Sequence, residues 1–308
     1  MCLSTSLRDD FFWWQKILAD PEQANIIRSG HFALEIFSDA SLNGWGVACG
    51  TQRSHGWWAI EERDLYINAL ELKAAFFGLK CFATNWRDVN ILLRIDNTTA
   101  ISYINRYGSV KFPHLSALAK DIWQWCETRN LFLFASYIPP ADNFIADEES
   151  RRTDTDTEWS LSVLAFDVIC QRFGHPEVDL FASTLNAKCE CYLSWFPDPG
   201  TWAVDAFTIA WGDLPFYAFP PFILISRVLR KIVDDSAEGI LVVPWWPSQP
   251  WFPLFQRLLI SEPIIFDPAY DLLSAPLRDH HPAYRTLSLA AGHVSGRPSK
   301  LEGFQSPP

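Results

Sequence analysis

A chain of 308 residues with 49% hydrophobic content can bury a sizeable core, and its length predicts about two domains. The formal net charge of −11 argues against a surface that binds nucleic acid throughout, so such binding would need local basic patches. Seven cysteines without regular spacing argue against a disulfide scaffold and favour a reduced, intracellular protein.

The N-terminal residues lack the basic and apolar regions of a secretory signal peptide. No segment reaches the roughly 18 uninterrupted apolar residues of a membrane helix, because prolines break the apolar run over residues 240–255. We therefore expect an intracellular protein, cytoplasmic or nuclear, that is not secreted and does not associate with a membrane.

The first part of the chain predicts a helical lead-in followed by an α/β domain. Residues 1–30 form the lead-in, with a short amphipathic helix over residues 9–19, and residues 31–152 then show strand and helix periodicities in alternation. The predicted strands lie at 32–38, 45–51, 55–59, 89–95 and 131–137, and the predicted helices at 67–83, 97–106, 114–129 and 142–150. A mixed sheet flanked by helices is the expected fold.

The second part predicts another α/β domain behind a short linker. Residues 153–158 are polar and aperiodic, which is typical of a linker. The second domain spans residues 159–290, with strands at 177–182, 215–219 and 239–244 and a helix at 222–235. Residues 291–308 turn to Gly, Ser, Pro and Lys and are predicted to be a disordered tail.

Cys189 and Cys191, with His175 upstream, are candidate zinc ligands. Structural zinc sites usually have four ligands and wider spacing within each pair. Buried or half-buried thiols are therefore the favoured interpretation.

Four carboxylates stand in settings that favour metal chemistry: Asp39, Glu71, Asp96 and Asp147. Two of them end predicted strands, and the other two lie on predicted helices. A cluster of carboxylates repels itself unless cations neutralise it, and hard oxygen ligands favour Mg²⁺ or Mn²⁺. Two such ions roughly 3.5–4 Å apart would activate a water and stabilise the leaving oxygen of a phosphodiester. Any one of these acids taken alone is more often a solvated surface residue.

The local sequences around these acids resemble type 1 ribonuclease H. They are SDASLNGWG at residues 38–46, INALEL at 67–72, DNTTA at 96–100 and IPPADNFIAD at 138–147. Residues 31–152 are similar in particular to the ribonuclease H segment of DIRS-type retrotransposon polyproteins. The resemblance implies that the four carboxylates bind two Mg²⁺ or Mn²⁺ ions and are catalytic, with an RNA–DNA hybrid as substrate. A reverse transcriptase and a tyrosine recombinase of the same element are the implied partners.

Some positions depart from this family. Many relatives carry histidine where this chain has Tyr137, so we expect slower protonation of the leaving group and a slower enzyme. Glu148 and Glu149 replace an apolar pair. We expect them to add negative charge beside Asp147 and to weaken the approach of the substrate.

The candidate contacts to a hybrid are four basic residues near the proposed site: Lys73, Arg94, Arg106 and Lys111. Scattered cations of this kind are as often ordinary solvated surface. Asn43 and Asn97 resemble positions that contact the nucleic-acid backbone in the family, and an ordinary turn or cap residue is the alternative interpretation.

Residues 178–255 carry a second resemblance, to phage-like Dam-type DNA adenine methyltransferases, which DIRS-type elements carry beside their ribonuclease H. The matching segments are VDLFASTLNAKC at 178–189, DAFTIAW at 205–211, YAFPPF at 217–222 and ILVVPWW at 240–246. The fold implied for this part is a methyltransferase-like α/β domain. Asp179 and Asp205 are the implied contacts for S-adenosylmethionine, although no glycine-rich loop supports this cofactor.

One departure in this second resemblance concerns the chemistry. Such enzymes place Asp or Asn before Pro-Pro and an aromatic residue, so that its oxygen accepts a hydrogen bond from the adenine amino group. Here Phe219 stands before Pro220, Pro221 and Phe222, and these four residues, with the two aspartates, are the cofactor-binding residues that the resemblance implies. Phenylalanine offers no acceptor, so we expect methyl transfer to be impaired or absent.

Three functions are compatible with these patterns. The first is two-metal hydrolysis of the RNA strand of RNA–DNA hybrids. The second is a catalytically retired nucleic-acid-binding or interaction module from a retrotransposon polyprotein. The third is DNA adenine methylation, against which Phe219 argues. Convergence of the four carboxylates would favour the nuclease.

Overall fold

The computed structural model describes residues 30–154 and 158–300, together with residues 8, 11, 12, 15, 18 and 19. The chain divides into two compact units, Met1–Phe32 and Ala33–Pro308. In the smaller unit, the described residues between 8 and 19 are helical and exposed. The rest of the predicted helix over residues 9–19, residues 155–157 of the predicted linker and residues 301–308 of the predicted tail lie outside the described residues.

The larger unit contains two lobes, defined here as residues 33–154 and residues 158–300, and the first is built on a five-stranded sheet. Its strands are β1 (Leu34–Ala40), β2 (Gly44–Cys49), β3 (Gln52–Trp57), β4 (Asn90–Ile95) and β5 (Phe132–Tyr137). The sheet order is β3-β2-β1-β4-β5. β1, β2 and β3 form an antiparallel meander, whereas β4 and β5 run parallel to β1.

Helices cover this first sheet because each carries an apolar stripe that needs burial. They are α1 (Ile67–Phe82), α2 (Thr98–Asn105), α3 (Pro113–Glu127) and α4 (Phe144–Ser150), with a 3₁₀ turn at Ile60–Glu62. The core joins Ile36, Leu93 and Leu133 of the sheet to Leu72 and Ile122 of the helices. The predicted α/β fold is confirmed: this lobe is a mixed sheet flanked by helices, as in a ribonuclease H-like fold.

The second lobe is built on a seven-stranded sheet with the order β12-β14-β11-β10-β7-β8-β9. Its strands are β7 (Val178–Asp179), β8 (Cys191–Ser194), β9 (Ala203–Val204), β10 (Phe216–Ala218), β11 (Glu238–Pro244), β12 (Ile264–Phe266) and β14 (Leu289–Ser295). β6 (Ser160–Leu161) and β13 (Leu273–Ser274) form a separate pair. The helices are α5 (Val163–Phe173), α6 (Ile225–Asp234) and α7 (Phe252–Leu258), with 3₁₀ turns at Ala206–Thr208 and Phe222–Leu224.

The strand order of the second lobe reverses at its centre. β7, β8 and β9 follow one another outwards in one direction, and β10 and β11 lie on the other side of β7, all in parallel. β14 is antiparallel to both β11 and β12. In open α/β sheets, such a reversal leaves a crevice at the carboxyl ends of the two central strands. Here that crevice is expected between the ends of β7 and β10.

The predicted start of a disordered tail at residue 291 is wrong. β14 extends to Ser295, and its residues Ala291 and Val294 are buried between neighbouring strands. The small residues that suggested a tail instead allow close packing: a Cβ on Gly292 would lie 2.5 Å from the side chain of Leu259. The predicted helix at 222–235 is also divided, into the 3₁₀ turn Phe222–Leu224 and α6.

Across the described ranges, none of the helices combines the length and the apolarity that crossing a bilayer requires.

Candidate active site

Three of the four predicted carboxylates meet at one edge of the first sheet. Asp39 lies near the end of β1, Asp96 directly follows β4, and Glu71 lies on α1. Because β1 and β4 are parallel neighbours, their carboxyl ends share this edge. Each acid offers one oxygen, and the three oxygens lie within 4.8 Å of one another. In the part of the chain that is described, no other group of three or more metal-ligating side chains lies this close together. The cysteines considered for zinc therefore belong to no such group.

The electrostatics of this cluster favour a bound cation. Burial, together with the charges of Asp39 and Asp96, raises the pKa of Glu71 to about 9. Burial also raises the pKa of Asp39 and of Asp96 above their usual values. Oε2 of Glu71 is buried and accepts no hydrogen bond from any described residue. An unpartnered buried oxygen beside two further carboxylates suits a hard divalent cation.

Asp147 stands apart from this group. It lies on the short helix α4, is partly exposed, and its Oδ1 accepts hydrogen bonds from Nε and Nη2 of Arg151, each at 2.7 Å. Its charge nevertheless contributes to the raised pKa of Asp39 and of Asp96. The structure thus assembles Asp39, Glu71 and Asp96 and places Asp147 at the rim, neutralised by Arg151.

Two further residues hold the site, and sequence patterns did not single them out. Ser150 donates a hydrogen bond from Oγ to Oδ2 of Asp39 at 2.6 Å. Asn143, which is buried, donates from Nδ2 to the carbonyl of Ser38 at 3.0 Å. Both lie on or beside α4, so they fix this helix against β1. The spacing of Ser150 from Asp147, three positions along one helix, is the signal that could have identified it.

The prediction that Glu148 and Glu149 both add negative charge beside Asp147 is only half correct. Glu148 is exposed, but Glu149 is 2% exposed and faces β3. Its carboxylate pairs with Nδ1 of His55 at 2.9 Å, Nε of Arg152 at 3.1 Å and Nη1 of Arg53 at 3.4 Å. Glu149 therefore anchors α4 to the sheet edge and does not oppose the substrate.

Two of the four candidate basic contacts are already paired. Lys73 forms an ion pair with Glu62 at 2.7 Å, and Arg94 forms one with Glu35 at 2.6 Å. Arg106 is exposed, and its side chain forms no hydrogen bond or ion pair with any described residue. Lys111 is also exposed and forms no ion pair within the described ranges, although its ammonium group lies 5.2 Å from the Phe112 ring.

Arg106 and Lys111 belong to the loop of residues 106–112, which joins α2 to α3. Tyr107 adopts a φ of 60°, which is unusual for a residue with a side chain, and Gly108 follows with a φ of 107°. The Tyr107 ring is 59% exposed and packs 4.4 Å from the Trp123 ring. The loop thus presents cations and aromatic rings to solvent about 13 Å along α2 from the acidic site.

The two asparagines have local structural roles. Oδ1 of Asn97 accepts a hydrogen bond from the backbone N–H of Ala100 at 2.9 Å, and its Nδ2 donates to Asn68. Asn97 thereby caps α2. Asn43 is exposed in the turn between β1 and β2, where its N–H donates to Oγ of Ser41 at 3.2 Å. Tyr137 is half exposed at the end of β5, the strand at one edge of the sheet.

In the second lobe, the predicted cofactor contacts are engaged by the protein itself. Asp179 is buried, and its two oxygens accept backbone N–H bonds from Phe181 at 3.2 Å and from Lys188 at 3.0 Å. Burial raises the pKa of Asp179 to about 6. Asp205, with a φ of 60°, accepts from the N–H of Phe207 at 3.0 Å. Both acids therefore stabilise turns.

The residues of the altered motif do line a cavity. Phe219, Pro220, Pro221 and Phe222 follow β10 at the expected crevice and border a space of about 420 Å³. Its other walls include Trp159 and His281, whose ring centroids are 4.6 Å apart. Neither Asp179 nor Asp205 lines it. The structure therefore does not bring the six predicted residues of this lobe into one site.

No protein-family model matches this chain, and no curated protein matches it. Among solved structures, it is similar to LC11-RNase H1, an enzyme isolated from compost and crystallised with an RNA/DNA hybrid, at 22% identity and a TM-score of 0.33. It is also similar to RNase H1 from the halophilic archaeon Halobacterium salinarum NRC-1, at 17% identity and a TM-score of 0.29. Each match covers 38% of this chain and 92% of the other. The prototype foamy virus protease-reverse transcriptase matches at 10% identity and a TM-score of 0.28, over 50% of this chain and 30% of that one.

Proposed function

We propose that this chain is a retroelement-derived ribonuclease H that hydrolyses the RNA strand of RNA–DNA hybrids with two divalent cations, Mg²⁺ or Mn²⁺. The observation that carries the proposal is the convergence of Asp39, Glu71 and Asp96 around an unpartnered buried oxygen of Glu71. The four local sequences that resemble the DIRS-type ribonuclease H support it further. Residues 31–152 would be the nuclease domain, and the second lobe, residues 158–300, would be a second domain.

Each residue of the site would have a separate role in the reaction. When bound, two cations would activate a water and stabilise the leaving oxygen of the RNA phosphodiester. Asp39, Glu71 and Asp96 would hold the cations, and Ser150 would keep Asp39 oriented through its hydrogen bond. Asp147 would complete the site once Arg151 turns from it towards a phosphate of the substrate.

The hybrid would contact the loop of residues 106–112. Arg106 and Lys111 can offer their charges to phosphates, because no described residue forms an ion pair with either of them. The exposed Tyr107 ring suits contact with a ribose or a base. With Tyr137 at the position where relatives carry histidine, the leaving group would take its proton from water, so we expect a slow enzyme.

The expected partners are a reverse transcriptase and a tyrosine recombinase of the same element, and the expected location is the cytoplasm or the nucleus, where hybrids form. We do not propose an S-adenosylmethionine site, since the oxygens of Asp179 and Asp205 accept bonds from backbone N–H groups.

The test is cleavage of a labelled RNA–DNA hybrid by the purified chain with Mg²⁺ or Mn²⁺, beside Asp96→Asn. We expect cleavage of the RNA strand by the wild-type protein and a loss of at least about a thousandfold in the variant. A folded wild-type protein that leaves the hybrid intact with either metal would refute the proposal.

A second candidate is a non-catalytic binding module, and the altered motif of the second lobe favours it. The cavity behind Pro220 has aromatic walls but lacks the acceptor that methyl transfer needs, because Phe219 occupies that position. Binding of nucleic acid without cleavage, and with equal affinity in Asp96→Asn, would support this alternative.

A further inference from the structure

A second cavity lies at the junction of the two lobes, on the side of the first sheet where β3 is the edge strand. β3 provides one wall, and residues 182–185 and 194–199 of the second lobe provide the opposite wall. Two strand spacings, about 10 Å, separate β3 from the β1 strand of the acidic site. The volume is about 160 Å³, well below the ~300 Å³ at which pockets for drug-sized ligands begin. Only a small group could enter.

Two carboxylates line this cavity, that of Glu158, which is half-buried, and that of Asp198, which is buried. Oε2 of Glu158 accepts hydrogen bonds from Ser183 at 2.8 Å and from Asn186 at 3.3 Å. Oδ1 of Asp198 accepts hydrogen bonds from the backbone N–H of Thr184 at 3.0 Å, from the Thr184 hydroxyl and from Tyr192 at 2.5 Å. The second oxygen of each acid accepts no hydrogen bond from the described residues, and neither acid forms an ion pair with them. Burial raises the pKa of both groups.

The basic side chain that lines this cavity does not supply the balancing charge. His55 is engaged with Glu149, and burial lowers its pKa to about 4, so it is neutral at pH 7. A buried carboxylate without a cation is costly, and a cation from outside would offset that cost.

Aromatic rings form much of the remaining wall. Trp45 and Phe77 meet edge to face with centroids 5.2 Å apart, and Trp57 lies beside them in the lining. Trp195 and Phe196 are 50% and 45% exposed, so they are open to solvent beside the cavity. The face of an aromatic ring attracts a cation, and rings combined with acids recognise alkylated ammonium groups.

We propose that this junction cavity binds a small organic cation, an ammonium or guanidinium group, either free or at the end of a side chain of another molecule. The proposal is independent of hybrid cleavage, because the ligand differs from the substrate and the cavity residues are not those of the acidic site. It assigns a role to Glu158 and Asp198, which the nuclease does not use.

The test is calorimetric titration of the whole chain with tetramethylammonium and with methylguanidinium. Sodium chloride at equal ionic strength controls for salt, and tert-butanol, a neutral molecule of similar shape, controls for apolar binding. We expect saturable binding of one or both cations and none of the alcohol. An equal response to sodium chloride or to the alcohol would overturn the proposal.

Two variants locate the binding. Glu158→Gln and Trp195→Leu should each weaken cation binding by about fivefold or more. Glu177→Gln, which removes an exposed acid outside the cavity, should leave it unchanged. Both test positions avoid Asp198, whose loss would release Thr184 and Tyr192 and risk unfolding. Wild-type affinity in both test variants would overturn the assignment.

A final comparison distinguishes the two sources of the cation. If the natural ligand is a side chain, a peptide that carries trimethyllysine should bind about tenfold tighter than free tetramethylammonium, because flanking residues add contacts. Equal affinity would indicate a free cation. Failure of the peptide, of tetramethylammonium and of methylguanidinium to bind would refute the site.

Discussion

At the residue scale, the candidate metal site combines three carboxylates whose mutual repulsion the fold must withstand. Asp39 and Glu71 are each 4% exposed, and the charge of Asp39 contributes to the raised pKa of Glu71. Such an arrangement does not stabilise the protein by itself. A loss of stability in exchange for binding is expected at a site whose ligand carries positive charge.

This trade-off predicts that Asp96→Asn stabilises the metal-free protein. Removing the charge of Asp96 from beside Asp39 and Asp147 should raise the free energy of unfolding by about 0.5–2 kcal/mol. Thermal or urea unfolding in the presence of a chelator would measure it. A less stable variant would show that Asp96 makes favourable contacts that outweigh its repulsion from the neighbouring acids.

The pKa of Glu71 predicts how metal binding depends on pH. At pH 7 the metal-free protein keeps a proton on Glu71, so a divalent cation must displace it. The affinity should therefore rise with pH, by up to about tenfold per pH unit, and level off above pH 9. Calorimetric titration of Mn²⁺ between about pH 6 and 9 would measure this, with Glu71→Gln as the control that lacks the proton. A flat profile for the wild-type protein would contradict the assignment of Glu71 as a ligand.

The raised pKa of Glu71 also makes stability depend on pH. The stability of the metal-free protein should fall as the pH rises, whereas its metal affinity should rise. The unfolded chain releases the Glu71 proton near the ordinary pKa of 4.5, whereas the folded protein holds it up to about 9. Without metal, this group therefore destabilises the folded state progressively as the pH rises from 4.5 towards 9. Saturating metal should remove that loss.

At the element scale, the position of α4 depends on a close approach to β2. A Cβ on Gly46 would lie 2.2 Å from the carbonyl oxygen of Ala146 and 2.3 Å from the backbone nitrogen of Ser150. Only glycine lets the helix lie this near to the strand. The hydrogen bond from Ser150 to Asp39 depends on that distance.

Gly46→Ala should therefore displace α4 and disturb the site. We expect a loss of about 1–3 kcal/mol in the free energy of unfolding, together with weaker metal binding, because backbone atoms cannot move aside as a side chain can. Gly30→Ala is the matched control, since a Cβ there would meet no atom within 4 Å. Equal behaviour of the two variants would show that α4 tolerates a shift.

The loop of residues 106–112 permits a separate prediction about substrate binding. Arg106→Ala combined with Lys111→Ala should raise KM for the hybrid and leave kcat nearly unchanged. It should also reduce the slope of log affinity against log salt by about 1.5, as expected for two lost phosphate contacts. Arg94→Ala is the control, because Arg94 is already paired with Glu35. An unchanged salt slope would exclude the loop as a phosphate-binding element.

At the scale of the whole molecule, the two lobes belong to one compact unit. Sγ of Cys81 lies 3.5 Å from the carbonyl oxygen of Pro197, and Oγ of Ser54 donates to the same oxygen. Arg63 donates to the carbonyl of Pro276. The contact of Ser54 covers part of the edge strand β3, and the other two join α1 and the segment after the 3₁₀ turn to the second lobe.

Residues 33–300 should therefore unfold in a single cooperative transition. Residues 33–154 expressed alone should melt several degrees lower, since the cover of β3 is lost. Calorimetry of both proteins would decide this. Two resolved transitions in the longer protein, one at the temperature of the isolated lobe, would mean that the lobes are independent.

Local sequence patterns were sufficient to predict the elements of the first lobe. Short apolar runs marked β1 and β4, and three-and-four spacing marked α1, because both patterns reflect burial in a core. The convergence of Asp39 and Asp96 could be predicted from the ends of two strands, whereas Glu71, on a helix, was predicted to join them through the family resemblance. Asp147 was predicted with them, but only the structure showed that Arg151, on the same helix, neutralises it.

Those local patterns could not predict contacts between distant parts of the chain. The segment after residue 290 has a polar, small-residue composition, yet it forms β14, because β11 and β12 provide partners for it. Whether Arg94 was free depended on Glu35, and whether Glu149 faced the substrate depended on Arg53 and His55. A residue's own neighbours in sequence set its local conformation, whereas its burial and its charge partners are set by residues far along the chain that only the folded structure brings near.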